Sequence, residues 1–169
     1  MPPLDDAEEL LWRSLTRLVI TVPRAMSADL EGSRGLTVTE YLVLMHLSEA
    51  PQRQLRMSEL AERTALSASR ITRVVDLMGG RGLVTRHPSP EDGRSMLAML
   101  TRQGLQTLRK AYPEHLRSVR RNVFDHLNAD ETASVGEVLS RLADAVDAAN
   151  PPPPRRPPKR RAEPAPRPS

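Results

Sequence analysis

Residues 55–104 read LRMSELAERTALSASRITRVVDLMGGRGLVTRHPSPEDGRSMLAMLTRQG, and this stretch decides the fold. Residues 55–64 have the spacing of a short amphipathic helix that buries Leu60 and Ala61. Ser67 is a strong helix cap, because its hydroxyl can accept from an amide of the first turn. The helix it opens is expected to run to about Gly80, with Ile71, Val74, Val75 and Met78 facing inward. Residues 82–86 (GLVTR) read as a strand, residues 88–93 as turn chemistry and residues 95–100 as the returning strand. The order is short helix, tight turn, helix, then a hairpin with a charged tip.

Working outward, residues 37–40 form a Thr-x-x-Glu capping box that starts a helix carrying Tyr41, Leu42, Leu44, Met45 and Leu47, until Pro51. Before it, Leu10, Leu11, Ser14, Leu15, Leu18, Val19, Val22 and Met26 recur at helical spacing from about residue 5 to 31. Pro23 lies inside that run and is expected to kink it, and Gly32 and Gly35 to end it. On the other side, Thr101 is expected to cap a helix to about His126, interrupted at Pro113. A second capping box, Asn128-x-x-Glu131, opens a last helix that is expected to bury Val135, Val138, Leu139, Leu142 and Val146. Residues 151–169 are rich in Pro and Arg, have almost nothing to bury, and read as a disordered tail.

The whole chain has 169 residues, four aromatics, 16 prolines and no cysteine. That length suits one domain with a tail, and the scarcity of aromatics suits an aliphatic, helical core. Without cysteine, disulfides, thiolate nucleophiles, zinc-thiolate sites and thiol redox switches are excluded. No membrane span or secretion signal is visible, so the expected location is the cytoplasm, on the nucleoid. The net charge of +4 is unevenly spread. The tail carries +5, residues 1–52 carry −4, residues 53–121 carry +8 and residues 122–150 carry −5. A basic middle between acidic ends suggests a polyanion-binding lobe beside a lobe with another task; solvated charge on a long helix is the plain alternative.

The element order of residues 55–104 is that of a winged helix-turn-helix. In such a unit the second helix enters the major groove of DNA, and residues near its N-terminus meet base edges. The exposed early positions here are Ser69, Arg70, Thr72 and Arg73. Arginine can grip guanine with two hydrogen bonds, and short hydroxyls can reach bases or phosphates. Ser67 leaves the positive end of the helix free to sit against a phosphate. At the hairpin tip Asp92 can brace Arg94, which would project into a minor groove where narrow A·T tracts concentrate negative potential.

The same stretch resembles the MarR family of bacterial transcription regulators. It carries the S-E-L-A helix, T-R-x-V-D-x-L/M, R-G-L-V-x-R, a P-x-D-x-R wing and L-T-x-x-G in order, with Asp92, Arg94, Leu100, Thr101 and Gly104 on the pattern. The likeness extends more loosely over residues 5–148 and stops before the tail. It implies a mainly α fold with a two- or three-stranded antiparallel wing, in which residues 37–104 form the winged unit. Residues 5–35 and 105–148 would form a helical dimerisation lobe, the whole occupying residues 1–150. It also implies that Ser69, Arg70, Thr72 and Arg73 face the major groove, and that Arg94, positioned by Asp92, enters the minor groove of double-stranded DNA. Arg56 stands where the family commonly has a Ser or Thr cap, so it is expected to touch phosphate. Gly79 and Gly80 replace a charged pair usual in the family.

Members of this family are homodimers that commonly leave a pseudo-palindromic operator when a small aromatic acid or phenol binds between the two lobes. Trp12, Arg17, Met26, Tyr41 and His46 are the candidate lining, with Arg24 as a carboxylate anchor. Ordinary packing competes for each: Trp12 as an interface anchor, His46 as a core histidine, Arg17 and Arg24 as partners of Glu9 or Asp29. The histidines are scattered, so no metal site is expected, and no cofactor is implied. No phosphate loop, nucleophile motif or HExxH appears, so catalysis is not expected. Two other readings remain open: a non-specific nucleoid protein working through its tail, and a scaffold presenting PPPPRRPP as a polyproline ligand.

Overall fold

A computed structural model describes residues 2–90 and 95–150 of the chain. Six helices surround a small sheet: α1 (Asp6–Arg34), α2 (Val38–Glu49), β1 (Gln54–Arg56), α3 (Met57–Arg63), α4 (Ala68–Gly80), β2 (Val84–Pro88), β3 (Met96–Leu100), α5 (Arg102–Asn122) and α6 (Ala129–Ala149). The sheet is antiparallel in the order β1-β3-β2, so β3 is central, with Ala98 opposite both Leu55 and Arg86. The fold is mainly α with a three-stranded wing.

Helix α2 is apolar on nearly every side and lies at the centre of the winged unit, as such helices must. Tyr41, Val43, Leu44 and Leu47 are buried there against Leu30 and Leu36, Leu60 of α3, Ile71, Val75 and Met78 of α4, and Val84 and Ala98 of the sheet. Capping boxes close α1 at Asp5, α2 at Thr37 and α6 at Asn128, each with a glutamate three residues on. Gly35 ends α1 in the left-handed region, at φ 62°, where glycine carries no steric cost.

Four expectations need correction. Pro113 does not interrupt α5, which runs through it as α1 runs through Pro23. Each proline is exposed, and so are Val19 and Arg109, whose carbonyls lose their partner and can bind water instead. Helix α5 stops at Asn122, and a separate 3₁₀ turn follows over Phe124–His126. Residues 54–56 form a strand ahead of the short helix; three residues are too few to show a period-two pattern. Finally, α6 buries none of its residues. Val135, Val138, Leu139, Leu142 and Val146 are between 41% and 59% exposed, because only the N-terminal part of α1 stands near them. The tail, residues 151–169, lies outside the described residues.

Candidate nucleic-acid interface

The turn between α3 and α4 sets the angle of the second helix. It passes through Ala65 at φ 52°, a left-handed conformation that costs a non-glycine residue about 1 kcal/mol. The Leu66 amide closes the turn by donating to the Ala61 carbonyl at 3.0 Å. Ser67 then caps α4, its hydroxyl accepting from the Arg70 amide at 3.3 Å and lying 3.2 Å from the Ser69 hydroxyl. Ile71, Val75 and Met78 anchor one face, and Val74 packs beside them half-buried.

The opposite face is open. Ser69, Arg70 and Arg73 are exposed, and neither arginine makes an ion pair among the described residues. Thr72 is half-buried at the edge, and its hydroxyl donates back to the Ala68 carbonyl at 2.8 Å. Its proton is therefore committed to its own helix. Arg56 is engaged as well: its Nη1 donates to the Ser95 hydroxyl at 2.9 Å, linking β1 to the base of the hairpin. Asp92 and Arg94 lie outside the described residues.

Two ion pairs fix α4 to the rest of the lobe, and neither was anticipated. Asp76 pairs with Arg86 of β2, which joins helix to hairpin and offsets the one acid on the open face. Arg81, just past the end of α4, donates to Glu40 Oε1 and to the Gly35 carbonyl, both at 2.8 Å. Glu40 thus caps α2 with one oxygen, which accepts from the Thr37 amide at 2.8 Å, and holds α4 with the other. Its capping role was legible from the spacing, but its partner 41 residues away was not.

At the hairpin's other end Gly104 lets α5 approach the sheet. A Cβ there would come 2.1 Å from the Leu83 carbonyl oxygen and 2.8 Å from Leu100 Cδ1. Thr101 completes the junction, its hydroxyl donating to the Gly82 carbonyl at 2.7 Å and accepting from the Gly104 amide at 2.9 Å.

The six residues suggested as a ligand lining are not gathered into one site. Trp12 is 57% exposed and lines a groove between α1 and α6. Arg17 and Arg24 are exposed on α1, Met26 is buried, and His46 is half-buried on α2. The acids named as their partners pair otherwise: Glu9 with Arg13 and Asp29 with Arg121. Asp29 also accepts from the buried Ser118 hydroxyl at 2.5 Å, and this hydrogen bond, with the arginine, holds its carboxyl below the usual range despite some opposing desolvation.

The groove that Trp12 lines has a volume of about 690 Å³, and Tyr41 lines a second cleft, of about 450 Å³, between α2 and α5. Met45, Leu105, Leu108, Tyr112 and His115 line it too. Tyr41 and His115 stack with ring centroids 4.1 Å apart. Burial pushes the Tyr41 phenol up to about 12 and pushes the His115 imidazole down, so both stay neutral near pH 7. His115 Nδ1 is buried without a hydrogen-bond partner among the described residues. The signal for His115 was available: it shares an i, i+3, i+7, i+10 face with Leu108, Ala111 and Ser118, all buried.

Among the described residues no cluster of histidines and acids could hold a metal ion, and no helix is long and apolar enough to cross a membrane.

Similarity to known proteins agrees with this geometry. The MarR family profile matches residues 34–95, from the end of α1 to the start of the returning strand. The helix-turn-helix transcriptional regulator YkoM of Bacillus subtilis is 34% identical over 122 residues, 72% of this chain and 76% of that protein. A MarR family regulator of Streptomyces coelicolor, solved in complex with DNA, superposes with a TM-score of 0.79 at 33% identity. That match covers 85% of this chain and 94% of the other. The regulator PcaV of the same organism, solved with its natural ligand, gives a TM-score of 0.65 at 31% identity, covering 86% and 99%. A helix-turn-helix with an open basic face, a three-stranded wing and these relatives together place the chain in the MarR family, whose members are DNA-binding transcriptional regulators and not enzymes.

Proposed function

We propose that the protein is a homodimeric repressor that binds a pseudo-palindromic operator and leaves it when a small aromatic acid or phenol binds. The observation that carries this reading is the open face of α4, where Ser69, Arg70 and Arg73 stand exposed on a helix whose other face is locked into the core. In this reading α4 lies in the major groove, Arg70 and Arg73 grip guanines and the Ser67 end meets a phosphate. Arg94 enters the minor groove with Asp92 beside it, and Arg56 meets a phosphate from the hairpin base it braces. Thr72 offers its methyl group and its lone pairs.

The uncovered apolar faces of α1 and α6 support a dimer, since an α6 without a buried residue has no other reason to keep an apolar stripe. A two-fold dimer would read two half-sites about one helical turn apart. The α2–α5 cleft supports a ligand: it lies within the usual 300–1,000 Å³ range and is mostly apolar, with the stacked Tyr41 and His115 in its wall. The effector would therefore meet Tyr41 and His115 in preference to the α1 residues.

Binding of the purified protein to the DNA upstream of its own gene, against a scrambled duplex, tests the reading. The upstream DNA is expected to win by about a thousandfold or more at about 150 mM salt. Affinities within about threefold of one another would reject sequence-specific regulation. Arg73→Ala is expected to remove most of the discrimination.

A further inference from the structure

Leu77 is the one large apolar side chain exposed on α4 among the described residues, at 65%. It follows Arg70 and Arg73 on the same side of the helix, seven and four residues on, the spacing that stacks side chains along one face. Nothing in the fold requires a leucine there, because the core face of α4 is already filled by Ile71, Val75 and Met78. Gly80 lies one turn beyond and also faces outward. A Cβ on Gly80 would meet nothing within 4 Å, and its φ is not one of the positive values that demand glycine. Internal packing therefore does not account for Gly80, although a glycine in a helix is unfavourable relative to alanine. What a bare backbone does provide is room for an outside surface to come close. Asp76, on the far side of the face, is held by Arg86 and so is not free to repel phosphates beside Leu77.

We propose that Leu77 reads a thymine by packing on its C5-methyl group, with Gly80 allowing the third turn of α4 to sit close enough. In the major groove this methyl is the only apolar feature of the base edges, and it separates thymine from cytosine and the purines. Leu77 lies about 6 Å further along the helix axis than Arg73. That is close to two base-pair steps of roughly 3.4 Å. Arg70 and Arg73 would then specify guanines and Leu77 a thymine roughly two pairs away, giving the half-site a mixed polar and apolar code.

The inference rests on the reading that α4 enters the major groove, and the experiment separates the two. The full-length protein first selects its site from random duplex DNA. Each thymine of the half-site is then replaced in turn by deoxyuridine, which removes the methyl and leaves the hydrogen-bonding edge intact. At one position the wild-type protein is expected to lose about fourfold in affinity, the equivalent of one buried carbon. In Leu77→Ala the loss at that position is expected to vanish, while affinity for the thymine duplex falls by at least as much. Leu77 is exposed, so the variant is expected to keep the helical circular dichroism of the parent. If no deoxyuridine weakens the wild type while Arg73→Ala still destroys discrimination, Leu77 reads nothing and the groove reading stands. If the sensitivity persists in Leu77→Ala, another group meets the methyl and the assignment is wrong. If neither Arg70→Ala nor Arg73→Ala affects discrimination, α4 is not the reading helix and both proposals fall.

Discussion

The two halves of the molecule carry the same kind of apolar periodicity and meet different fates. In the winged half, α2 to α4 with the sheet, nearly every apolar stripe is closed by a neighbour in the same chain, and residues such as Leu44, Leu47 and Leu60 reach zero exposure. In the other half, the N-terminal part of α1 and all of α6 leave Leu11, Trp12, Leu139 and Leu142 at 42–60% exposure. The charge follows the division only in part: the open helices α1 and α6 are acidic, whereas the basic surplus sits mostly on α5, where residues 102–122 carry +5 against +1 for residues 37–100. A periodic stripe therefore specifies that a helix face will be covered, without saying whether the cover comes from the same chain. In the proposed dimer the second copy provides it.

The sharpest way to break the closed half is Gly104→Ala. Its Cβ would drive against a backbone carbonyl that cannot move without dragging β2, so a loss of about 3 kcal/mol or more is expected in urea denaturation. A loss below about 1 kcal/mol would mean that the α5–sheet junction relaxes easily, and the contrast in rigidity between the halves would weaken. The open half responds to Leu139→Glu in a different way. A leucine that stays half-exposed in a monomer tolerates glutamate, whereas one buried between two copies does not. Dimerisation is expected to weaken by at least about 2 kcal/mol, seen by sedimentation equilibrium, while the core of the winged half stays folded. An unchanged association state would show that α6 is covered by something other than a second copy.

The smallest effect lies where the halves meet, at His115. Burial disfavours its imidazolium, so its folded pKa lies below the ordinary value of about 6.5 while the unfolded chain keeps that value. Between the two values the unfolded state binds more protons, and stability falls as pH falls. Removing the titrating group by His115→Gln is expected to flatten the stability profile just below about pH 6.5. A profile identical to the parent's would show that His115 does not carry the acid sensitivity. A ligand filling the α2–α5 cleft is expected to deepen the dependence, by further excluding water from the ring.

The sequence by itself determined which segments are helices, because caps and 3.6-residue periodicity are local properties. Thr37-x-x-Glu40, Ser67, Thr101 and Asn128-x-x-Glu131 all cap the helices they announce. It also determined the family and the open face of α4, since inward Ile71, Val75 and Met78 leave Ser69, Arg70 and Arg73 outside. Tertiary structure decided what depends on distant partners. It engaged Arg56 with Ser95, tied Glu40 to Arg81, and turned a three-residue segment into a strand through its pairing with β3. It moved the candidate ligand cleft from the α1 arginines to Tyr41 and His115, 74 positions apart in the chain yet stacked ring on ring. Periodicity records that a side chain faces away from water; only the folded arrangement records what it faces.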